Sequence, residues 1–204
     1  MLAGLAAEGA ALGHPCETRA LDMLDPASCQ ACLDAVEAMV PLAGLALVAG
    51  MNHDRSLGKL EEAEWDRVWQ VNTGFHSRLL ARLGHPGRLV PGARGILVGS
   101  IVGKRGNHGQ SAYAAAKGAL LDLLPLGPTG LRLNALLPPL VPSPLLANLT
   151  PEARERLFKA RLLDDPDPAQ SCAEAGALLL SDRSSYMHRQ VLHADSRVTV
   201  LGWD

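Results

Sequence analysis

The chain has no run of like charges and almost no net charge. Its 204 residues carry 19 Lys and Arg against 21 Asp and Glu, a formal balance of -2. The electrostatic footprint needed for nucleic acid or an anionic membrane is missing, and neither is expected as a partner. A long apolar run is missing too. The longest uncharged apolar stretch, Val40 to Met51, is about half the ~20 residues that span a bilayer. No basic segment precedes an apolar one at the N-terminus, so a cytoplasmic, unanchored chain is expected. Only four cysteines occur, Cys16, Cys29, Cys32 and Cys172. They are too few for the disulfide framework of a small secreted domain, and reduced thiols are the default. Cys29 and Cys32 form a C-x-x-C with no second pair at ligand spacing, and read as small apolar residues of a helix that begins at Asp25-Pro26. The seven histidines show no H-x-x-x-H or comparable spacing, and no metal is expected.

What is present is a globular composition, 48% hydrophobic and 20% charged, whose length suits a single domain over residues 1–204. Apolar residues recur at helical spacing from Leu2 to Leu12, from Pro26 to about Met39, from Glu61 to Leu83, from Ser111 to Leu124, from Pro151 to Leu163 and from Gln170 to Leu180. Gly13 suits a helix end, and Asp25-Pro26 a helix start. Extended stretches fall between: Glu17 to Asp22, Leu45 to Gly50, Gly95 to Gly99, Leu131 to Leu136 and Gln190 to Ala194. The uncharged Leu45 to Gly50 reads as a strand buried on both faces. Strands alternating with long helices imply parallel pairing through right-handed crossovers, hence an α/β fold, a parallel sheet flanked by helices. The run Pro138-Pro139-Leu140-Val141-Pro142-Ser143-Pro144 directly follows a strand. That puts it at the carboxyl edge of the sheet, where open α/β folds bind ligands.

The local signal that carries chemistry is Tyr113-Ala-Ala-Ala-Lys117. On a helix this spacing sets phenol and ammonium on one face, where the positive charge favours the phenolate and makes Tyr113 a usable acid/base. Ser100 lies 13 residues upstream, in Ile96-Leu97-Val98-Gly99-Ser100-Ile101-Val102-Gly103, and Asn72 a further 28 upstream, in Val71-Asn72-Thr73-Gly74. Taken singly these are an exposed helix pair, a strand-end hydroxyl bonded to backbone and a helix-satisfied amide. Together their order and spacing resemble the catalytic Asn, Ser, Tyr and Lys of the short-chain dehydrogenase/reductase family.

The resemblance extends along the chain. Glu64-Trp65-Asp66-Arg67-Val68 is similar to the family's stretch before the catalytic Asn, and Arg132-Leu133-Asn134-Ala135-Leu136-Leu137-Pro138-Pro139 to its R-V-N-x-x-x-P-G segment. Leu21-Asp22-Met23-Leu24-Asp25 resembles its D-V-T-D segment, and Leu178 to Asp182 its L-x-S-D run. Ser143-Pro144 stands where the family has Thr-Pro. The resemblance implies a Rossmann-like fold and a NADP- or NAD-dependent oxidoreductase that interconverts a small-molecule ketone and a secondary alcohol. Tyr113 would be the acid/base, Lys117 would lower its pKa and bond the nicotinamide ribose, Ser100 would hold the substrate oxygen, and Asn72 would position a water. Cofactor contacts would come from Asp22, at the adenine, and from Ala49, Gly50, Tyr113, Lys117, Pro138, Val141 and Ser143. A homodimer or homotetramer is implied, built on the helices at Glu61 to Leu83 and Ser111 to Leu124.

The chain also departs from the family pattern. The first strand, the T-G-x-x-x-G-x-G turn and the second strand have no counterpart, so the fold is expected to be N-terminally shortened by about one strand-helix-strand unit of 30 residues or more. The strand ending at Asp22 and that at Leu45 to Gly50 would then either pair directly or leave buried edges open. Leu47-Val48-Ala49-Gly50 replaces N-N-A-G, Pro139 replaces a glycine, and Asp195-Ser196-Arg197 replaces a terminal D-G-G. Three alternatives follow: a piece of an active reductase, a non-catalytic relative that no longer binds nicotinamide and acts through protein interactions, or a diverged enzyme that works without it. Asn52-His53-Asp54 and Gly106-Asn107-His108-Gly109-Gln110 are weaker candidates for the substrate pocket, with a solvated turn and a surface loop as the plainer readings.

Overall fold

In the computed structural model, residues 2–39, 41–143, 155 and 164–195 are described. Four parallel strands form one sheet, β1 (Leu42–Leu47), β2 (Leu89–Val98), β3 (Arg132–Leu137) and β4 (Val191–His193), side by side in chain order. Its helices are α1 (Leu2–Ala11), α2 (Pro26–Ala38), α3 (Glu62–Trp69), α4 (Phe75–Leu83), α5 (Ile101–Arg105), α6 (Ser111–Asp122) and α7 (Pro168–Leu179). This is the Rossmann-like parallel sheet flanked by helices that the alternating pattern implies. The helix expected over Pro151 to Leu163, apart from Glu155, lies outside the described residues, as do Pro144, Ser196 and Arg197. Among the described residues no helix is long and apolar enough to cross a membrane.

Alternation along the strands sorts the core into two faces, because successive strand side chains point to opposite sides. Leu97, Leu133 and Ala135 join Leu33 of α2, Leu79, Leu80 and Leu83 of α4 and Leu120 of α6 in one cluster. Their strand neighbours Ile96 and Leu136 turn the other way and meet Leu179 and Cys172 of α7. Every residue of β3 after Arg132 is buried. Arg132 reaches the carbonyl oxygens of Ser184, Met187 and Ser181. Fully buried Asn134 donates to Met187 O at 3.0 Å and accepts from Gln190 N at 3.0 Å. These bonds tie β3 to the segment that leads into β4.

Three expectations need correction. The first strand runs over Leu42–Leu47, not Leu45 to Gly50, and Ala43, Gly44 and Ala46 are exposed. It pairs with β2 alone among the described residues, so its outer side is an edge. Glu17 to Asp22 forms no strand. Asp22 instead accepts Leu24 N at 2.9 Å and donates its own N–H to Ser28 Oγ at 2.9 Å, building the turn into α2. Asp25 then caps α2 by accepting the N–H groups of Ala27 and Ser28, with Pro26 in the first turn. Finally, Glu61 to Leu83 is not one uniform helix: α3, opened by the reciprocal Glu61/Glu64 cap, passes through a wide π turn at Gln70–Gly74 before α4.

Candidate active site

β2 ends at Val98, and three residues later the chain enters α5, a five-residue helix too short to show a period in the sequence. Ser100 caps it, its hydroxyl accepting Val102 N–H at 3.2 Å. The helix lies directly on α6: a Cβ on Gly103 would stand 2.7 Å from the carbonyl carbon of Lys117 and 2.9 Å from Gly118 N. Glycine is therefore required at 103, and the contact fixes Ser100 against the helix that carries Tyr113 and Lys117.

The wide turn at Gln70–Gly74 presents Asn72, which is fully buried. Its side-chain amide donates to Met51 O at 2.7 Å and to Val68 O at 2.8 Å, and its oxygen accepts Met51 N–H at 3.3 Å. The loop after β1 is thereby fastened to the turn. Thr73 Oγ1 donates to Ala116 O at 2.6 Å and fastens the same turn to α6. Gly50 completes the junction: a Cβ there would lie 2.8 Å from Asn72 Oδ1 and 3.1 Å from Lys117 Nζ. His76, one turn on, donates from Nδ1 to Asn72 O at 3.0 Å, while its Nε2 is buried without a partner among the described residues. Burial lowers its pKa, so the ring is held neutral.

Lys117 is 3% exposed, and its ammonium donates to Val98 O at 2.9 Å. Burial pushes its pKa down to about 8. Tyr113 stands above its ordinary value: burial raises it most, the hydrogen-bonded Ser100 hydroxyl lowers it, and the Asp54 carboxylate raises it. The i, i+4 spacing does put the two groups on one helix, but the ammonium is turned onto the end of β2.

Ser100 and Tyr113 share the wall of a cavity of about 740 Å³ at the carboxyl ends of β2 and β3. Pro138, Val141 and Ser143 line it from the loop after β3, and α7 closes its apolar side. The structure thus brings Asn72, Ser100, Tyr113, Lys117 and Gly50 into one connected group, with Pro138, Val141 and Ser143 around the cavity. Ala49 is exposed at the end of β1, and Asp22, spent on its turn, is not among the lining residues.

Other parts were not foreseen in their roles. Asp54 accepts from Asn52 at 3.2 Å and from Gln110 at 3.0 Å, and Arg55 N–H donates to Gly109 O at 2.7 Å. His53 Nε2 and Arg55 Nη1 meet Glu64 Oε1 at 2.8 and 3.1 Å. The loop after β1 is therefore clasped to the segment preceding Tyr113, with Asn52 on the cavity wall. Asn52-His53-Asp54 is more than a solvated turn, whereas His108 is exposed and does not line the cavity. The run of polar residues directly after a strand was the available signal. Arg105, which also lines the cavity, had none, because α5 itself was not legible.

Known proteins are similar to this chain to different degrees. The 3-oxoacyl-(acyl-carrier-protein) reductase FabG of Escherichia coli (strain K12) is 26% identical over 181 residues, 86% of this chain and 74% of that protein. The (3R)-3-hydroxyacyl-CoA dehydrogenase of Rattus norvegicus is 30% identical over 146 residues, 68% of this chain and 56% of that protein. Among solved structures, the angucycline C-6 ketoreductase LanV with bound NADP superposes with a TM-score of 0.84 at 22% identity, covering 98% of this chain and 81% of that one. A short chain dehydrogenase family protein from Francisella tularensis subsp. tularensis SCHU S4 gives 0.74 at 23% identity, covering 87% and 79%. The family model described as enoyl-(acyl carrier protein) reductase matches residues 3–199, and with a match of that extent the chain belongs to the short-chain dehydrogenase/reductase family of oxidoreductases.

Proposed function

We propose that this protein uses NADP or NAD to interconvert a ketone and a secondary alcohol, with Tyr113 as the acid/base. The observation that carries the reading is that Ser100 and Tyr113 line one cavity wall, with Lys117 buried behind them on the Val98 carbonyl. Tyr113, Pro138, Val141 and Ser143 would hold the nicotinamide end, which when bound supplies or accepts hydride. Gly50 and Lys117 stand behind that end. In the reducing direction the Ser100 hydroxyl donates to the substrate carbonyl oxygen, where negative charge develops, and the Tyr113 phenol gives up its proton to the same oxygen. The raised pKa suits a group that must arrive protonated. Lys117, with its pKa near 8, is charged at neutral pH and favours the phenolate left behind. Asn72 fixes the loop and the turn that enclose the ammonium.

The test is calorimetric titration of the purified chain with NADPH and NADH, followed by ketone reduction by wild type and Tyr113→Phe. Micromolar binding, and turnover lost in the variant, are expected. An absence of binding at millimolar cofactor would refute the proposal and leave the non-catalytic interaction protein; turnover unchanged in Tyr113→Phe would remove the acid/base role. The homodimer or homotetramer belongs to the same reading and is checked by sedimentation.

A further inference from the structure

We propose that Arg105 is the recognition point for an anionic group, carboxylate or phosphate, on an amphipathic substrate whose apolar part lies along α7. The inference rests on the reading of the cavity as the substrate site. Two charged side chains line that cavity among the described residues, Arg105 and Asp195. Asp195 is buried and lies 3.5 Å from His193 Nδ1. Arg105 is exposed at the rim and has no hydrogen-bond or ion-pair partner among the described residues. The rest of the wall is neutral and, toward Ile96, Leu136, Ala173 and Gly176, apolar.

The position of this charge is fixed by the fold. Ser100 caps α5 and Arg105 ends it, so at 1.5 Å per residue their backbones are held roughly 7.5 Å apart along the helix. α5 cannot swing, because Gly103 lies on the backbone of Lys117. The neighbouring Lys104 donates to His193 Nε2 at 3.1 Å, which anchors the same helix end to β4 and directs that cation away from the cavity's open charge. A guanidinium presents a planar fork matched to two oxygens of a carboxylate or phosphate. A substrate oxygen at Ser100 and Tyr113 therefore places an anion a few bonds away within reach of Arg105, and leaves the apolar remainder to the α7 side.

Octanoate, octyl phosphate and octanamide would be titrated by calorimetry into wild type, Arg105→Met and Lys104→Met, without cofactor. At least one anion is expected to bind wild type about tenfold more tightly than the amide, as a charge-assisted contact predicts. That margin should vanish in Arg105→Met and persist in Lys104→Met. Which anion shows it tells carboxylate from phosphate. An amide that binds as tightly as both anions, or a margin that survives Arg105→Met or falls equally in Lys104→Met, would overturn the proposal. Failure of NADPH to bind while the margin behaves as expected would sink the dehydrogenase reading and leave this subsite standing.

Discussion

Lys117 keeps a positive charge in the interior with one acceptor among the described residues, the Val98 carbonyl oxygen. Its pKa falls from the usual 10.5 to about 8. Each pH unit corresponds to roughly 1.4 kcal/mol, so the charged form is disfavoured in the folded protein by about 3 kcal/mol at pH 7. A Lys117→Met variant keeps most of the buried stem and removes that cost. It leaves Val98 O without its donor, which costs ~1–2 kcal/mol. The variant is therefore expected to be more stable than wild type by about 1–2 kcal/mol at pH 7, while losing ketone reduction. For a domain of this size that is a rise in Tm of roughly 2–8 °C. Urea denaturation from pH 7 to 10 separates this cause from general packing. Because the folded-state pKa is the lower one, the unfolded chain holds a proton the folded chain has released between about pH 8 and 10.5. Wild type consequently regains most of that ~3 kcal/mol across the window, so the gap to the variant closes and then reverses there while staying constant below it. A variant less stable than wild type at pH 7, or a gap indifferent to pH, would refute the reasoning.

His76 gives a slope of the same sign on the acid side. Its pKa is lowered by burial, so below about pH 6.5 the unfolded chain takes up a proton that the folded chain resists; wild type should lose stability there, and His76→Leu should flatten the slope between urea midpoints at pH 7 and pH 5. Gly103→Ala would drive a methyl group into the backbone of Lys117 and Gly118, costing about 1–3 kcal/mol and parting Ser100 from Tyr113. Thermal melts and turnover should fall together, and an unchanged melt would show that α5 does not sit as described. Asn134→Ala removes buried bonds to Met187 and Gln190 and should cost about 2–3 kcal/mol in urea titration. A loss under about 0.5 kcal/mol would contradict their role in joining β3 to β4.

Periodicity was sufficient where an element is regular and its ends are marked. The expected Ser111 to Leu124 helix became Ser111–Asp122, and Leu131 to Leu136 became Arg132–Leu137. It was insufficient over Leu42 to Gly50, an uncharged run in which every register looks equally apolar, so the strand sits three residues earlier than expected. Glu17 to Asp22 has extended character, but a strand also needs a neighbour, and Asp22 favours its own turn. The four candidate catalytic residues were legible because order and spacing survive along a chain. The direction of the Lys117 ammonium was not, since it depends on a carbonyl 19 residues away on another element.

The bare side of β1 has a bearing on how the protein behaves in the tube. Strand amides facing away from β2 have no strand acceptor among the described residues, and they should exchange hydrogen with solvent at rates typical of loops. Those at the centre of β3 should wait for global opening. Leu42 to Gly50 contains no lysine or proline to discourage a second strand from adding to that side. This side is thus a place where a second copy could add a strand, and a lysine in place of exposed Ala46 is the substitution that should discourage it.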